Sequence, residues 1–242
     1  MLYDLNLYFN NDSSLNLGMY IVKQSITSPK DNVDEKYIKG KNGTLMQNDG
    51  TFKDISINID FNFIDKIDFK GKCRELNKWL FNIKDNHLYF SDDVNYFYIV
   101  KRIYMGDIEK ELDIKGLFTV NFICEPFQFD LGGADEIILA NNFILENPYF
   151  IEAKPVIKLW GEGIVKLNIN GNILEVNLGQ SIIIDSNLGH AYRIINEKKD
   201  FQNTKLKGDY PILLEDENKI SWILNVGARL DKATIQPNFK TI

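Results

Sequence analysis

The chain of 242 residues carries 28 Lys+Arg against 34 Asp+Glu, a net charge of −6, with 44% hydrophobic and 26% charged residues. That is globular composition at a length that buries a core without disulfide or metal staples, and it excludes disordered and fibrous classes. The acidic balance argues against a nucleic-acid binder, and so do four Arg against twenty-four Lys, since Arg is the residue that forks onto phosphate and guanine edges.

The opening Met1-Leu2-Tyr3-Asp4-Leu5 has no basic start and an acid where an apolar run should follow, so no targeting segment is expected. No apolar stretch approaches the roughly eighteen residues of a spanning helix. The product is expected to stay in the cell that makes it, unless it leaves as part of something larger. Between Pro29 and Thr51 the hydrophobic pattern fades into a polar stretch with Gly40-Lys41-Asn42-Gly43 and the turn-forming Asn48-Asp49-Gly50. A long polar excursion of this kind reads as a hairpin arm or contact-making loop.

Ile55, Ile57, Ile59, Phe61 and Phe63 then alternate with Ser56, Asn58, Asp60 and Asn62. Strict period two predicts a strand with one buried and one wet face. The spacing of Cys73, Leu76, Leu80 and Ile83, widened by Trp79, predicts a helix over 73–83. Strands are expected at Leu88–Phe90, Tyr96–Tyr104 and Leu117–Cys124, the last with Phe118, Val120, Phe122 and Cys124 on one face. Cys73 and Cys124 stand far apart without a CxxC and read as reduced core residues. From Glu125 to Asn147 the chain turns irregular, with Pro126, Gly132-Gly133, Asn141-Asn142 and Asn147-Pro148, which places a domain boundary near residue 140.

The second half reads as all strand. Asn170-Gly171 is a two-residue hairpin signal that pairs Val165 with Val176, Lys166 with Glu175 and Leu167 with Leu174. Further strands are expected at Ser181–Ile184, Ala191–Ile194, Ile220–Leu224 and Ala233–Ile235. Short strands with turns about every ten residues suggest a β-sandwich.

Catalytic signatures are missing. His87 and His190 are the two histidines, each beside turn residues, and no HExxH, GxSxG or supported Cys–His pairing is present. Gly40-Lys41-Asn42-Gly43 lacks the spacing, the Ser or Thr and the following helix of a phosphate loop. Asp92-Asp93, Asp135-Glu136 and Glu215-Asp216-Glu217 read as solvent-facing, and the Glu215–Asn218 turn lacks calcium-ligand spacing. No catalytic residue, cofactor site or metal site is assigned.

The order of features resembles the distal tail proteins of long-tailed phages, the siphovirus-type tail component family. In the first half the likeness rests on Gly40-Lys41-Asn42-Gly43, the Ile55–Phe63 strand, the helix with Leu76, Trp79 and Leu80, and Leu88-Tyr89-Phe90-Ser91-Asp92. Gly116-Leu117-Phe118 leading to Phe122, Cys124, Pro126 and Phe127 completes that half. In the second it rests on Asn147-Pro148, Ala153-Lys154-Pro155-Val156-Ile157-Lys158, Gly161-Glu162-Gly163 and Ile184-Asp185-Ser186. Gly208-Asp209-Tyr210-Pro211, Asn218-Lys219-Ile220-Ser221-Trp222 and Pro237-Asn238 follow. Lys41 stands where many relatives carry Arg.

The resemblance implies a mostly β, non-enzymatic structural protein. Residues 1–140 would be a β-rich ring-forming belt domain with one helix, and residues 141–242 a galectin-like β-sandwich, its last residues packing back on the first domain. Six copies would form a hub ring joining the tail tube protein to the tail hub or tail-associated protein and to receptor-binding proteins. The ring would sit at the virion tail tip or baseplate of a phage or phage-derived particle, assembled in the host bacterial cytoplasm, without nucleic acid, membrane or cofactor. Gly40, Lys41, Asn42 and Gly43 would belong to a subunit-contact arm. The alternatives are a stand-alone β-sandwich carbohydrate-binding protein and a glycan hydrolase. For the former, Trp160 is the one platform the sequence offers, on a strand face shared with Val156 and Lys158, whereas Trp222 shares a face with Ile220 and Leu224 and is expected to point inward. The second domain is therefore expected to be a docking scaffold.

Overall fold

The computed structural model describes residues 5–111 and 115–242, so Met1–Asp4, on which the reading of the chain's start rests, lie outside the described residues. The fold is mostly antiparallel β with one α-helix among the described residues, in the class expected. The chain divides into two compact units, one reaching Gln128 and including Ile242, the other spanning Phe129–Thr241.

In the first unit the Ile55–Ile64 strand lies between Lys115–Cys124 and Met19–Ile26. The alternation read from the sequence is realised side chain by side chain. Ile55, Ile57, Ile59, Phe61 and Phe63 are buried, opposite Cys124, Phe122, Val120, Phe118 and Gly116 in register. The wet face holds polar pairs instead: Ser56 Oγ donates to Asn121 Oδ1 at 2.8 Å and Thr119 Oγ1 to Asp60 Oδ1 at 2.6 Å. Gly116 is a glycine because a Cβ there would stand 2.2 Å from the Phe63 ring.

The helix covers the buried face with Leu76, Trp79 and Leu80, and the Trp79 indole donates to Phe9 O at 2.8 Å. It spans Phe69–Phe81 rather than 73–83. At its start the Asp68 carboxylate accepts from the Gly71 amide at 2.8 Å, and the Phe69 ring packs on Phe63. At its end the Asn10 amide donates to Trp79 O at 2.6 Å and Asn82 O at 3.0 Å, while its oxygen accepts from Lys84 N at 2.7 Å. A side chain about seventy residues away thus stops the helix, and Ile83, expected on the apolar stripe, lies outside it and is exposed.

The second unit is built on one long hairpin, Val156–Ile169 with Asn172–Asp185. Asn170 and Gly171 have φ of 55° and 90°, the paired left-handed residues of a type I′ turn. The register is the one expected, Val165 with Val176, Lys166 with Glu175 and Leu167 with Leu174, and it continues to Val156 with Asp185. Ser181–Ile184 is therefore the far end of this strand rather than a strand of its own. Glu175 also has the Lys207 ammonium at 3.7 Å.

The other edge of Val156–Ile169 takes two segments end to end. Asp216–Leu224 pairs with residues 165–169 and Arg229–Gln236 with residues 156–162. The chain crosses between them at Gly161-Glu162-Gly163, where a Cβ on Gly163 would meet Ala228 Cα at 2.8 Å. Ile157, Leu159, Val165, Leu167, Leu174, Val176, Ile220 and Ile235 form the core. Trp222 packs against it only in part, and Leu224, on the same face, reaches solvent at the strand's end.

One buried polar side chain holds the hairpin tip to its neighbour. Asn218, wholly inaccessible, accepts from Leu214 N at 2.8 Å and Asn170 Nδ2 at 2.7 Å. It donates to Leu214 O at 2.9 Å and Asp216 O at 3.0 Å. Asn218→Ala removes all four of these hydrogen bonds from a side chain that water does not reach, so the second unit should lose about 2–4 kcal/mol of stability. Chemical denaturation followed by a second-unit probe such as Trp222 fluorescence reads the loss.

Candidate functional site: a projecting hairpin arm and a neighbouring cleft

The polar excursion is a hairpin. Lys30–Tyr37 pairs with Thr44–Lys53 as a two-stranded sheet of its own, joined to no other strand among the described residues. Gly40, Lys41, Asn42 and Gly43 form its exposed tip, where the Lys41 amide donates to Ile38 O at 3.1 Å. Gly40 and Gly43 have φ of 86° and 83°, left-handed conformations that let the tip turn.

Asn48-Asp49-Gly50, expected as a turn, lies instead inside the second strand and makes a bulge. The pairing jumps from Asp31 with Phe52 to Val33 with Asn48. The same local chemistry is used there: Gly50 N donates to Asn48 Oδ1 at 2.8 Å, and Thr51 N and Oγ1 donate to Asp49 Oδ1 at 2.9 and 2.6 Å. The Thr51 hydroxyl, with the Thr51 amide, holds the Asp49 carboxyl below its ordinary range. The loop-forming residues were legible, but which strand position they would distort depended on a pairing register that propensity does not carry.

Cross-strand partners share a face, so Val33, Glu35 and Tyr37 lie with Asn48, Met46 and Thr44 on one side of the arm. Tyr37 is 77% exposed and Met46 65%, with Leu45 and Ile38 also in water. These exposed apolar residues do not stand out in a stretch where the hydrophobic pattern fades. Pairing the two strands outward from the Gly40–Gly43 turn is the signal that would have found them. At the arm's root the Phe52 ring meets Phe127 edge-on at 5.8 Å.

Beside that root, within the first unit, lies an open cleft of about 250 Å³ lined by Ile26, Pro29, Ile55, Tyr98, Pro126 and Ile242. Thr27, Ser28 and Gln128 supply its polar edge, and no charged side chain lines it.

Other singled-out residues do not converge on chemistry. His87 opens a strand, its Nδ1 2.7 Å from Asp85 Oδ1 and its ring edge-on to Phe97. His190 opens the strand His190–Ile195, its Nδ1 3.1 Å from the Asn203 amide. Trp160 is half-buried beneath Lys232, whose ammonium is 5.0 Å from the ring centre, while Lys158 pairs with Glu136 rather than lying over the indole. The Lys158 contact keeps the Glu136 carboxyl below its ordinary range. Among the described residues no group of three or more His, Cys, Asp or Glu is placed to hold a metal ion, and no helix is long and apolar enough to cross a membrane.

The first unit is thus β-rich with a projecting hairpin and is joined in sequence to an all-β second unit, and known proteins share both features in part. Residues 13–124 match the model of the phage tail protein RIFT-related domain family, which bears out over that segment the resemblance drawn from the sequence. Among solved structures the chain shares its fold with the Dit protein of phage SPP1, described as a paradigm of the hub adsorption apparatus in phages infecting Gram-positive bacteria. The likeness has a TM-score of 0.68 at 12% identity and covers 96% of both chains. No curated protein matches the chain by sequence.

Burial decides how the thiols and Tyr98 titrate. Desolvation pushes the Cys124 thiol up to about 12 from 9.0, and burial, helped by Asp93, pushes Tyr98 up to about 12 from 10.0. An unfolded chain releases these protons near 9 and 10 while the folded one keeps them, so stability falls as pH rises from about 9 to 12. Urea midpoints measured across that window should drop, and Tyr98→Phe should flatten the slope. A thiol reagent at pH 8 should label Cys73 in the folded chain and Cys124 only in denaturant.

Proposed function

We propose that this protein is a structural ring component at the tip of a phage or phage-derived tail. Six copies close a hub ring through their first units, joining the tail tube protein to the tail hub protein and, through the second units, to receptor-binding proteins. The observation that carries the reading is the likeness to the SPP1 Dit protein over 96% of the chain, joined to the family match at 13–124. It supports a place at the virion tail tip, after assembly in the host bacterial cytoplasm.

Physical chemistry supports the same reading. An isolated two-stranded hairpin is marginal in water, so an arm that exposes Tyr37 and Met46 gains stability when a neighbour covers it. An arm and the surface it meets are different patches, and head-to-tail contacts of that kind form rings when the rotation between copies closes. The second unit serves as a galectin-like docking scaffold. A sugar platform at Trp160 is disfavoured because Lys232 lies over its ring. The role is architectural rather than catalytic, so His87→Ala and His190→Ala should leave tail assembly and infection unchanged.

Light scattering of the purified protein, alone and with the tail tube protein of the same particle, should give a mass several times 28.0 kDa. Negative-stain images should show rings. Monomers under both conditions would sink the ring reading.

A further inference from the structure

Two features of the first unit are each incomplete, and each has what the other lacks. The arm exposes Tyr37 and Met46 on one face, and the cleft is largely apolar and open. The arm cannot fill the cleft of its own chain. Ser28 and Pro29 line the cleft and the arm starts at Lys30, so the cleft lies at the arm's root. At about 3.3 Å per residue, Lys30–Tyr37 carries the tip about 23 Å away from it.

We propose that the cleft lined by Ile26, Pro29, Ile55, Tyr98, Pro126 and Ile242 receives the Tyr37–Met46 face of a second copy's arm. This rests on the ring reading and names the surface the arm meets. Tyr37 and Met46 are diagonal neighbours on one face, since Tyr37 pairs with Thr44 and Glu35 with Met46. Together they present an aromatic ring and a flexible thioether to an apolar hollow of about 250 Å³. Glu35 sits beside them, and the cleft's edge offers the Thr27 and Ser28 hydroxyls as donors to its carboxylate. A cleft without charged side chains suits this face, with its single carboxylate, better than the opposite one, where Asp34 and Lys36 stand with Gln47 and Leu45. Because Ser28 and Pro29 belong both to the cleft and to the arm's root, filling one subunit's cleft steadies the base of that subunit's own arm. Assembly then propagates from copy to copy.

The test uses full-length chains with Cys73→Ser to remove the accessible thiol. Tyr37→Cys and Ile26→Cys are made separately, brought to a concentration at which light scattering shows the oligomer, and oxidised with copper phenanthroline. The mixture should yield covalent dimers, and neither variant alone more than a trace. Both substitutions in one chain should yield a ladder of higher species. Tyr37→Ala with Met46→Ala, both exposed, should raise the concentration needed for assembly at least tenfold without moving the melting temperature of the monomer, read at a concentration too low for assembly. If the oligomer is present and the mixture gives no more covalent dimer than the single variants, the cleft is not the receiver and the ring reading stands. If only monomers are found, with or without the tail tube protein, the ring reading fails and this contact fails with it.

Discussion

The first unit depends on the complete exclusion of water from one face of a single strand. Ile55 to Phe63 present five large side chains to the interior, and burying each is worth about 1.5–3 kcal/mol relative to exposure. Period two then fixes everything around it, because a slip of one residue would put every Ile and Phe in water. That register sets Gly116 under Phe63, aligns the Ser56 and Asp60 pairs on the wet face, and fixes the direction in which the chain arrives from the arm. The arm's root at Phe52 and Lys53 immediately precedes this strand. A projection needs a rigid base, and the alternation supplies it.

The second unit reaches rigidity differently. Its long hairpin is specified locally by Asn170-Gly171, but its closure is specified by a buried polar residue, Asn218, which ties the hairpin tip to the turn before Asp216–Leu224. Buried amides of this kind cost much if left unpaired, so they favour one arrangement of strands over near alternatives. The likeness to SPP1 Dit at 12% identity fits this picture: what the two chains share is a fold, and a fold survives exchange of side chains wherever burial pattern and turn geometry are kept.

Legibility in the sequence followed the range of the determining interactions. The Ile55–Phe63 strand and the Asn170 hairpin, register included, could be read because alternation and a type I′ turn are local. The helix could be read in kind but not in extent: Asp68 and Phe69 add a turn at its start, and Asn10 ends it from about seventy residues away. The continuity of Asn172–Asp185 was hidden because Gly179 and Gln180 look like a break, and Gln180 does take a φ of 80° inside the strand. The arm was legible as an arm from its tip residues. Its apolar face and the bulge at Asn48–Gly50 required knowing which residues stand opposite one another.

That bulge bears on a hazard of any particle that gathers several bare hairpins in one place. A flat hairpin edge is a template onto which the next strand can add, and then another, so that closed assembly gives way to open-ended filaments. The Asn48–Thr51 distortion breaks the run of evenly spaced amides and carbonyls that such growth requires, and Asp49, fixed by Thr51, sets a charge at the break. The arm thereby keeps Tyr37 and Met46 exposed while its edge is a poor seed for fibres.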